Sequence, residues 1–116
     1  LGDVYKRQLV DDRIVGLAGI SAVGSKDKVK HRAELGISIE KAYYGKGIGT
    51  ALTKACIQCA KTAGYRQLEL EVVAENKNAI ALYKKFGFKE IGSNPRGFCS
   101  RYTGWQELIS MLLVLD

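Results

Sequence analysis

Residues 34–50, "ELGISIEKAYYGKGIGT", carry the pattern that decides the fold. In the first half, Leu35, Ile37 and Ile39 alternate with small or polar residues, which predicts a strand that packs one face on a core. Glycine then recurs at every second position before a helical pattern begins. The stretch therefore predicts a strand that leads through a glycine-rich turn into a helix.

The next elements extend this pattern into a larger unit. From Ile48 to Ala63, apolar residues recur at three- and four-residue spacing, which predicts an amphipathic helix that ends near Gly64. Residues 66–74, "RQLELEVVA", alternate again and predict a second strand. Glu34 to Ala74 therefore predicts a βαβ unit, with a right-handed crossover and two parallel strands.

Four further segments flank this unit. Residues 8–23 predict a β-hairpin, because two apolar runs surround an Asp-Asp turn. Residues 75–88, "ENKNAIALYKKFGF", predict a short helix that Gly87 ends. Residues 93–105, "SNPRGFCSRYTGW", predict a loop. Residues 106–116 predict a final strand that is buried on both faces.

The composition limits the classes of partner. The chain has 116 residues, enough for one domain, and a formal net charge of +6. Its basic residues are scattered, and aromatic residues do not interleave with them as a base-stacking surface requires. We therefore expect a solvated basic surface with local use for phosphate, and no nucleic acid as a partner.

The apolar and cysteine content indicates the compartment. The apolar C-terminal segment is too short to span a bilayer, and nothing at the N-terminus resembles a signal peptide. An odd count of three cysteines favours a reducing, cytoplasmic location. Cys56 and Cys59 form a C-x-x-C inside the helical pattern, but no second Cys/His pair completes a metal site. We therefore expect free thiols, no metal and no membrane partner.

The turn before the first helix, residues 43–52, has the composition of an anion site. Backbone N–H groups of a glycine-rich turn at a helix N-terminus can approach a pyrophosphate closely, and Lys46 and Thr50 add a charge and a hydroxyl. The alternative is a tight turn that binds no ligand. The G-x-G-x-x-G and P-loop patterns are both absent, so neither nucleotide-binding family fits.

A second motif points to one family. The chain resembles the GNAT superfamily of acetyl-CoA-dependent N-acetyltransferases, whose signature Asn-x-x-Ala-x-x-Leu-Tyr-x-x-x-Gly-Phe is complete here in Asn76, Ala79, Leu82, Tyr83, Gly87 and Phe88. The family's phosphate loop, Gln/Arg-x-x-Gly-x-Gly/Ala, matches at Gly47 and Gly49, whereas Tyr44 stands at the Gln/Arg position. The resemblance implies an α/β fold with a mixed, mostly antiparallel sheet. Its central parallel pair is joined by a crossover helix.

The resemblance also implies where acetyl-CoA binds. The cofactor is expected between the parallel strands, with its pyrophosphate on the turn and its pantetheine arm paired with strand backbone as an added strand. Asn76 is expected to hold that arm and, as an Asn, also to cap the following helix. The cofactor-binding residues implied are Ile37, Ser38, Ile39, Tyr44, Gly45, Lys46, Gly47, Ile48, Gly49, Thr50, Asn76 and Tyr83.

Two residues are the expected catalytic groups. Tyr83 is the candidate general acid, which would donate to the leaving thiolate; its alternative role is a core aromatic. Glu34 is the candidate base that receives the amine proton; its alternative role is a half-exposed strand carboxylate. His31 is a weaker candidate base, because it falls in a polar loop.

These features predict an N-acetyltransferase that moves an acetyl group to a primary amine by direct attack in a ternary complex. The alternative is an acyl-CoA-binding module of the same fold without turnover. The acceptor class is a small-molecule amine, a protein N-terminus or a lysine, and a homodimer is left open. The segment 93–105 is expected to shape acceptor choice; its alternative is a loop with Trp105 as a plug.

The first eight residues, "LGDVYKRQ", resemble a translated sequencing adapter. They are expected to be non-native, and residues 9–116 are expected to form a partial acetyltransferase domain. The family's N-terminal strand and helices are then expected to be missing. Such a chain should be poorly stable alone, with an exposed apolar face.

Overall fold

The computed structural model describes residues 4–10, 13–39, 47–102 and 104–116, and only the backbone of residues 4–10 and 13–15. Within these residues, six strands and two helices follow the order β1 (Val4–Val10), β2 (Arg13–Ala22), β3 (Arg32–Ile39), α1 (Ile48–Thr62), β4 (Gln67–Val73), α2 (Lys77–Lys85), β5 (Lys89–Ser100) and β6 (Gly104–Val114). The chain divides into two compact units, Leu1–Leu68 with Leu115–Asp116, and Glu69–Val114.

The first unit contains the strand order β1-β2-β3-β4, of which β4 contributes its first residues. The pairs β1·β2 and β2·β3 are antiparallel. At the start of β4, the backbone N–H groups of Arg66 and Gln67 donate to the His31 carbonyl at 2.9 and 3.3 Å. β3 and β4 are the parallel pair, and α1 is the crossover between them. The predicted βαβ unit is confirmed.

One face of α1 forms the core of the first unit. Its buried residues recur with helical spacing: Ile48, Leu52, Thr53, Cys56 and Ala60. Gly16 of β2 lets this face approach the sheet, because a Cβ there would lie 3.0 Å from both Ile48 Cγ2 and Leu52 Cδ1. On β3, Ala33 and Leu35 are buried and complete the core.

Gly64 ends α1 as predicted. It has a φ of 89°, which L-residues with a side chain rarely adopt. The Gly64 N–H donates to the Lys61 carbonyl, and the Tyr65 N–H donates to the Ala60 carbonyl at 3.0 Å. This is the Schellman arrangement, which satisfies two of the carbonyls that a helix end leaves free.

The second unit contains the strand order β4-β6-β5 and the helix α2. The Ala74 N–H donates to the Glu107 carbonyl at 2.9 Å, which joins the end of β4 to β6. Gly87 follows α2 with a φ of 101°, as predicted, and a Cβ there would lie 3.3 Å from Leu113 Cδ1. This helix end therefore lies against one face of β6.

The prediction of a loop over residues 93–105 is wrong. β5 continues to Ser100 and pairs with β6 as a long antiparallel hairpin. The register shifts between Asn94 and Phe98, where β5 advances four residues and β6 only two. This bulge accommodates Pro95. Proline has no backbone N–H to donate, and a bulge on an edge strand does not require one. The composition of a bulged edge strand resembles that of a loop.

The prediction that the final strand is buried on both faces is also wrong. Only Met111 of β6 is fully buried, and Val114 is 61% exposed. The apolar residues between them are half-buried, because a hairpin of two long strands exposes part of each face to solvent.

β1 begins at Val4, inside the segment expected to be non-native. Val4 pairs with Ile20, and the pairing continues to Val10 opposite Arg13, with a shift between Gln8 and Leu9. The predicted hairpin is therefore confirmed and is longer than expected, while its Asp-Asp turn lies outside the described residues. The origin of residues 1–8 stays a prediction, since backbone pairing depends little on which side chains are present.

Candidate functional site

The N-terminus of α1 presents free backbone donors. Gly47 precedes the helix in the left-handed region, with a φ of 78°, and apart from its chain neighbours no described residue has an atom within 4 Å of the position a Cβ would take. Its carbonyl accepts the Ala51 N–H at 3.0 Å, while among the described residues no side chain caps the helix and no acidic residue stands in its first turn. The first N–H groups and the positive end of the helix dipole therefore suit an anion.

Of the other residues of the predicted turn, the structure describes some and leaves others outside the described residues. Ile48 is buried, Gly49 is half-buried and Thr50 is exposed at the first turn of α1. Tyr44, Gly45 and Lys46 lie outside the described residues, so their predicted contacts stay predictions.

The end of β3 carries the predicted pantetheine-binding residues. Ile37 and Ile39 are half-buried, and Ser38 is exposed. All three pair with β2 in antiparallel register, with Ala18 opposite Ile37. One backbone edge of this stretch is therefore already paired with β2, and β4 follows β3 on the other side in the strand order.

Glu34 and His31 both lie toward the start of β3, away from the end that leads to the phosphate turn. Glu34 is exposed on the strand, opposite Ser21 of β2. His31 precedes β3, whereas the phosphate turn follows it, so an eight-residue strand separates the two. At a rise of about 3.3 Å per residue, that strand is about 26 Å long. The structure therefore does not bring His31 to the turn; His31 instead lines a cavity of about 720 Å³ with Tyr65 and Arg66.

Asn76 caps α2 as predicted. Its side-chain oxygen accepts the Ala79 N–H at 3.3 Å, and its backbone carbonyl accepts the Ile80 N–H. This bond uses only the oxygen of the side-chain amide, so the NH₂ group keeps two donors. The two predicted roles of Asn76 are therefore compatible.

Tyr83 lies on the buried side of α2 and is 9% exposed. Its ring meets Phe88 edge-on, with centroids 5.7 Å apart and planes at 62°. Burial raises the pKa of the Tyr83 phenol above its usual value of 10.0, because a buried site disfavours the phenolate. Tyr83 is thus a core aromatic that keeps its proton at neutral pH, and its catalytic role stays a prediction.

The β5–β6 hairpin contains an arrangement that the sequence did not reveal. Trp105 is 58% exposed, so the interpretation of Trp105 as a plug is wrong. The Arg96 guanidinium lies 5.2 Å from the centroid of the Trp105 ring. The only sequence signal was that proline, glycine, arginine and aromatic residues concentrate in this segment. That composition does not predict which two side chains contact each other.

The three thiols have different exposure. Cys56 is buried, Cys59 is half-buried and Cys99 is exposed, and none of the three forms a disulfide bond. Within the described part of the chain, no three His, Cys, Asp or Glu side chains gather as a metal site would require. The described helices include none long and apolar enough to cross a membrane.

A family model agrees with this fold and these residues. Residues 8–88 match the model of the Acetyltransferase (GNAT) family. The chain belongs to the GNAT family. Among relatives, this GNAT chain is 34% identical over 83 residues to the N-alpha-acetyltransferase RimI of Mycobacterium tuberculosis, covering 72% of this chain and 50% of that protein.

Solved structures show the same GNAT fold. A GNAT-family acetyltransferase from Streptococcus pneumoniae superposes with a TM-score of 0.89 at 29% identity, covering 97% of this chain and 67% of that one. The structure of yncA from Salmonella typhimurium with its cofactor acetyl-CoA has a TM-score of 0.80 at 25% identity, covering 89% and 59%. The mixed α/β fold expected for the GNAT family is confirmed.

The GNAT chain spans only part of its relatives. It covers 23%, 24% and 50% of the length of three curated proteins that it matches. The first unit holds the α1 N-terminus, the end of β3 and Glu34, and the second unit holds Asn76 and Tyr83.

Proposed function

We propose that this GNAT chain moves an acetyl group from acetyl-CoA to a primary amine by direct attack in a ternary complex. The observation that carries the proposal is the uncapped N-terminus of α1 behind Gly47, in a member of an acetyltransferase family. A relative named as an N-alpha-acetyltransferase supports an amine as the acceptor. A neighbouring structure with acetyl-CoA supports the co-substrate.

The residues present fit acetyl-CoA. The N–H groups at the start of α1 would bind the pyrophosphate together with the predicted Lys46 charge. The edge of Ile37–Ile39 that does not pair with β2 would bind the pantetheine amides, and the Asn76 NH₂ would donate to the same arm. When bound, acetyl-CoA supplies an activated acetyl thioester.

The acceptor must lose a proton to attack. A lysine-like amine with a pKa of about 10.4 is mostly charged at pH 7, and deprotonating it costs about 4–5 kcal/mol. The proposed base is Glu34, which is exposed on β3 and is able to accept this proton directly or through water. The amine nitrogen then forms a bond to the acetyl carbon while the carbon–sulfur bond breaks.

Tyr83 is the proposed donor to the leaving sulfur. Its phenol is protonated at neutral pH, and burial raises its pKa further above the usual value of 10.0. A phenol with a pKa of at least 10 is a weaker acid than a thiol near 8.5, so complete proton transfer to free thiolate is uphill. Tyr83 therefore acts by hydrogen bonding to the sulfur as charge develops, and the proton released by the amine balances the thiol product.

A thiol-release assay with acetyl-CoA and a panel of primary amines tests the proposal. We expect release that depends on the amine, together with an acetylated amine in the mass spectrum. Acetyl-CoA binding without transfer to any amine would instead support the acyl-CoA-binding module. A cytoplasmic location and a homodimer stay predictions.

A further inference from the structure

The bulge of β5 holds Arg96 in a defined position. The Arg96 N–H donates to the Asn94 side-chain oxygen at 3.1 Å, which fixes the turn of the backbone. A Cβ on Gly97 would lie 2.7 Å from Leu108, so the chain presses closely onto β6 there. The Arg96 guanidinium then lies over the Trp105 ring at 5.2 Å, a cation–π distance. Two contacts thus hold the backbone of the bulge, and the exposed guanidinium contacts the Trp105 ring.

Trp105 lies at the solvent-exposed end of one face of β6. Alternation puts Trp105, Met111 and Leu113 on the same face of the strand. Leu113 lies against Gly87 at the end of α2, and Met111 is completely buried. Trp105 is 58% exposed on that face. The face is therefore covered at one end and open at the hairpin end.

This open end lies beside the beginning of α2. The Ala74 N–H donates to the Glu107 carbonyl, and the Asn76 N–H donates to the Val73 carbonyl, both at 2.9 Å. Trp105 is only two residues from Glu107 along β6. Trp105 thus lies at the carboxyl end of β4, which leads to Asn76. Ligands of open α/β sheets bind at the carboxyl ends of strands.

The charge at this end favours an anionic group. Among the described residues, no carboxylate forms an ion pair with Arg96. The Arg96 side chain is exposed with its guanidinium 5.2 Å from the indole centroid, and a guanidinium can bind a carboxylate with two parallel hydrogen bonds. Glu107 is exposed on the same face as Trp105 and offers an opposite charge to an ammonium.

We propose that Arg96, positioned by Trp105, binds the carboxylate of the acceptor, and that the acceptor is a small amine that also carries a carboxylate, such as an amino acid. This inference rests on the proposed acetyl transfer and names its substrate class. Arg96 binds and orients the acceptor, and it takes no part in moving protons.

Trp105 is the only tryptophan of the chain, so its fluorescence reports ligand binding without turnover. Its fluorescence should be followed during titration with N-acetylated amino acids and their amides, with CoA present. We expect a saturable change with the carboxylates, and affinity weaker by about tenfold to hundredfold for the amides, which lack the charged hydrogen bonds. Equal affinity for acids and amides would overturn the inference.

Matched variants assign the effect to Arg96. Arg96→Gln should lose the preference for the acid, and Arg96→Lys should recover part of it through charge alone. Arg101→Gln removes the same charge from the exposed hairpin turn and should keep the preference. An equal loss in Arg96→Gln and Arg101→Gln would mean that net charge, not this guanidinium, is responsible, and would overturn the inference.

Turnover separates this inference from the proposed function. We expect kcat/KM for amino acids to exceed that for their amides, and Arg96→Gln to remove the difference while acetyl-CoA affinity stays unchanged. If amides and acids were acetylated equally well, the acetyl transfer would stand and the acceptor class would be wrong. If no amine were acetylated, the proposed function would fail, and the acceptor class with it, even where Trp105 still distinguished acids from amides.

Discussion

The Asn76 side-chain oxygen accepts the Ala79 N–H at 3.3 Å and leaves the amide NH₂ of the same side chain unused by this cap. One short side chain thus stabilises the first turn of α2 and retains donors for a ligand. The two roles depend on different atoms, so different substitutions can separate them.

We expect Asn76→Asp to keep the helix cap and to weaken acetyl-CoA binding, because it retains the oxygen and loses the NH₂ donors. Asn76→Ala should also lose about 1 kcal/mol of stability with the cap. Denaturant unfolding measures the first property, and calorimetric titration with acetyl-CoA measures the second. Unchanged acetyl-CoA affinity in Asn76→Asp would exclude the pantetheine contact.

Tyr83→Phe should lower kcat by about two to three orders of magnitude, since it removes the hydroxyl that hydrogen-bonds to the leaving sulfur. The ring keeps its edge-on packing against Phe88, so we expect the free energy of unfolding to change little. Single-turnover acetyl transfer measures the chemical step, and Tyr102→Phe on the exposed turn is the control. A Tyr83→Phe enzyme of normal rate would leave Tyr83 with a packing role only.

The raised pKa of Tyr83 predicts a loss of stability at alkaline pH. Below pH 10 the phenol is protonated in both states, so this group adds no pH dependence. Above pH 10 the unfolded chain releases the proton while the folded chain retains it, and the free energy of unfolding therefore falls as pH rises through the folded pKa.

Urea unfolding between pH 9 and pH 11 measures how the free energy of unfolding falls with pH. This range extends about one unit on each side of the reference pKa. Tyr83→Phe should flatten the decline relative to the parent chain, and Tyr102→Phe, which is 88% exposed, should not. An identical decline in all three proteins would show that other groups cause it.

Gly47 and Gly64 offer a matched test of the phosphate turn, because they flank the two ends of α1 in the same left-handed conformation. Neither has an atom within 4 Å of a Cβ position, so alanine at either site should cost only the backbone strain of about 1–2 kcal/mol. Only Gly47→Ala should weaken acetyl-CoA binding. Comparable binding losses in both variants would indicate a general effect of destabilisation.

Gly16→Ala should destabilise the first unit by about 1–3 kcal/mol, the typical cost of overpacking. Its Cβ would press on Ile48 and Leu52 at 3.0 Å and push the N-terminal half of α1 away from β2. Gly36→Ala on β3, with no atom within 4 Å, is the control and should change the free energy of unfolding little. Thermal unfolding compares the two, and equal midpoints would contradict the close approach.

Local rules account for the elements that the sequence predicted well. The apolar spacing of α1, the alternation of β3 and β4, the Asn76 cap and the stops at Gly64 and Gly87 each depend on neighbouring residues. The structure confirms all of them. The GNAT signature belongs to this class, since its residues lie within α2 and its flanks.

Pairing between distant segments accounts for the wrong predictions. Residues 93–105 have the composition of a loop, yet β6 supplies hydrogen-bond partners that extend β5 to Ser100 and absorb Pro95 in a bulge. The same pairing leaves Trp105 exposed beside Arg96.

The sequence by itself determined the helices, their ends, the βαβ unit and the acetyltransferase family, because each depends on patterns of residues that lie close together along the chain. Only the tertiary structure decided that Gly16 admits α1 to the sheet, that His31 lies at the far end of β3, and that Arg96 rests on Trp105. These facts depend on strand register and on packing between residues far apart in sequence, which no local pattern encodes.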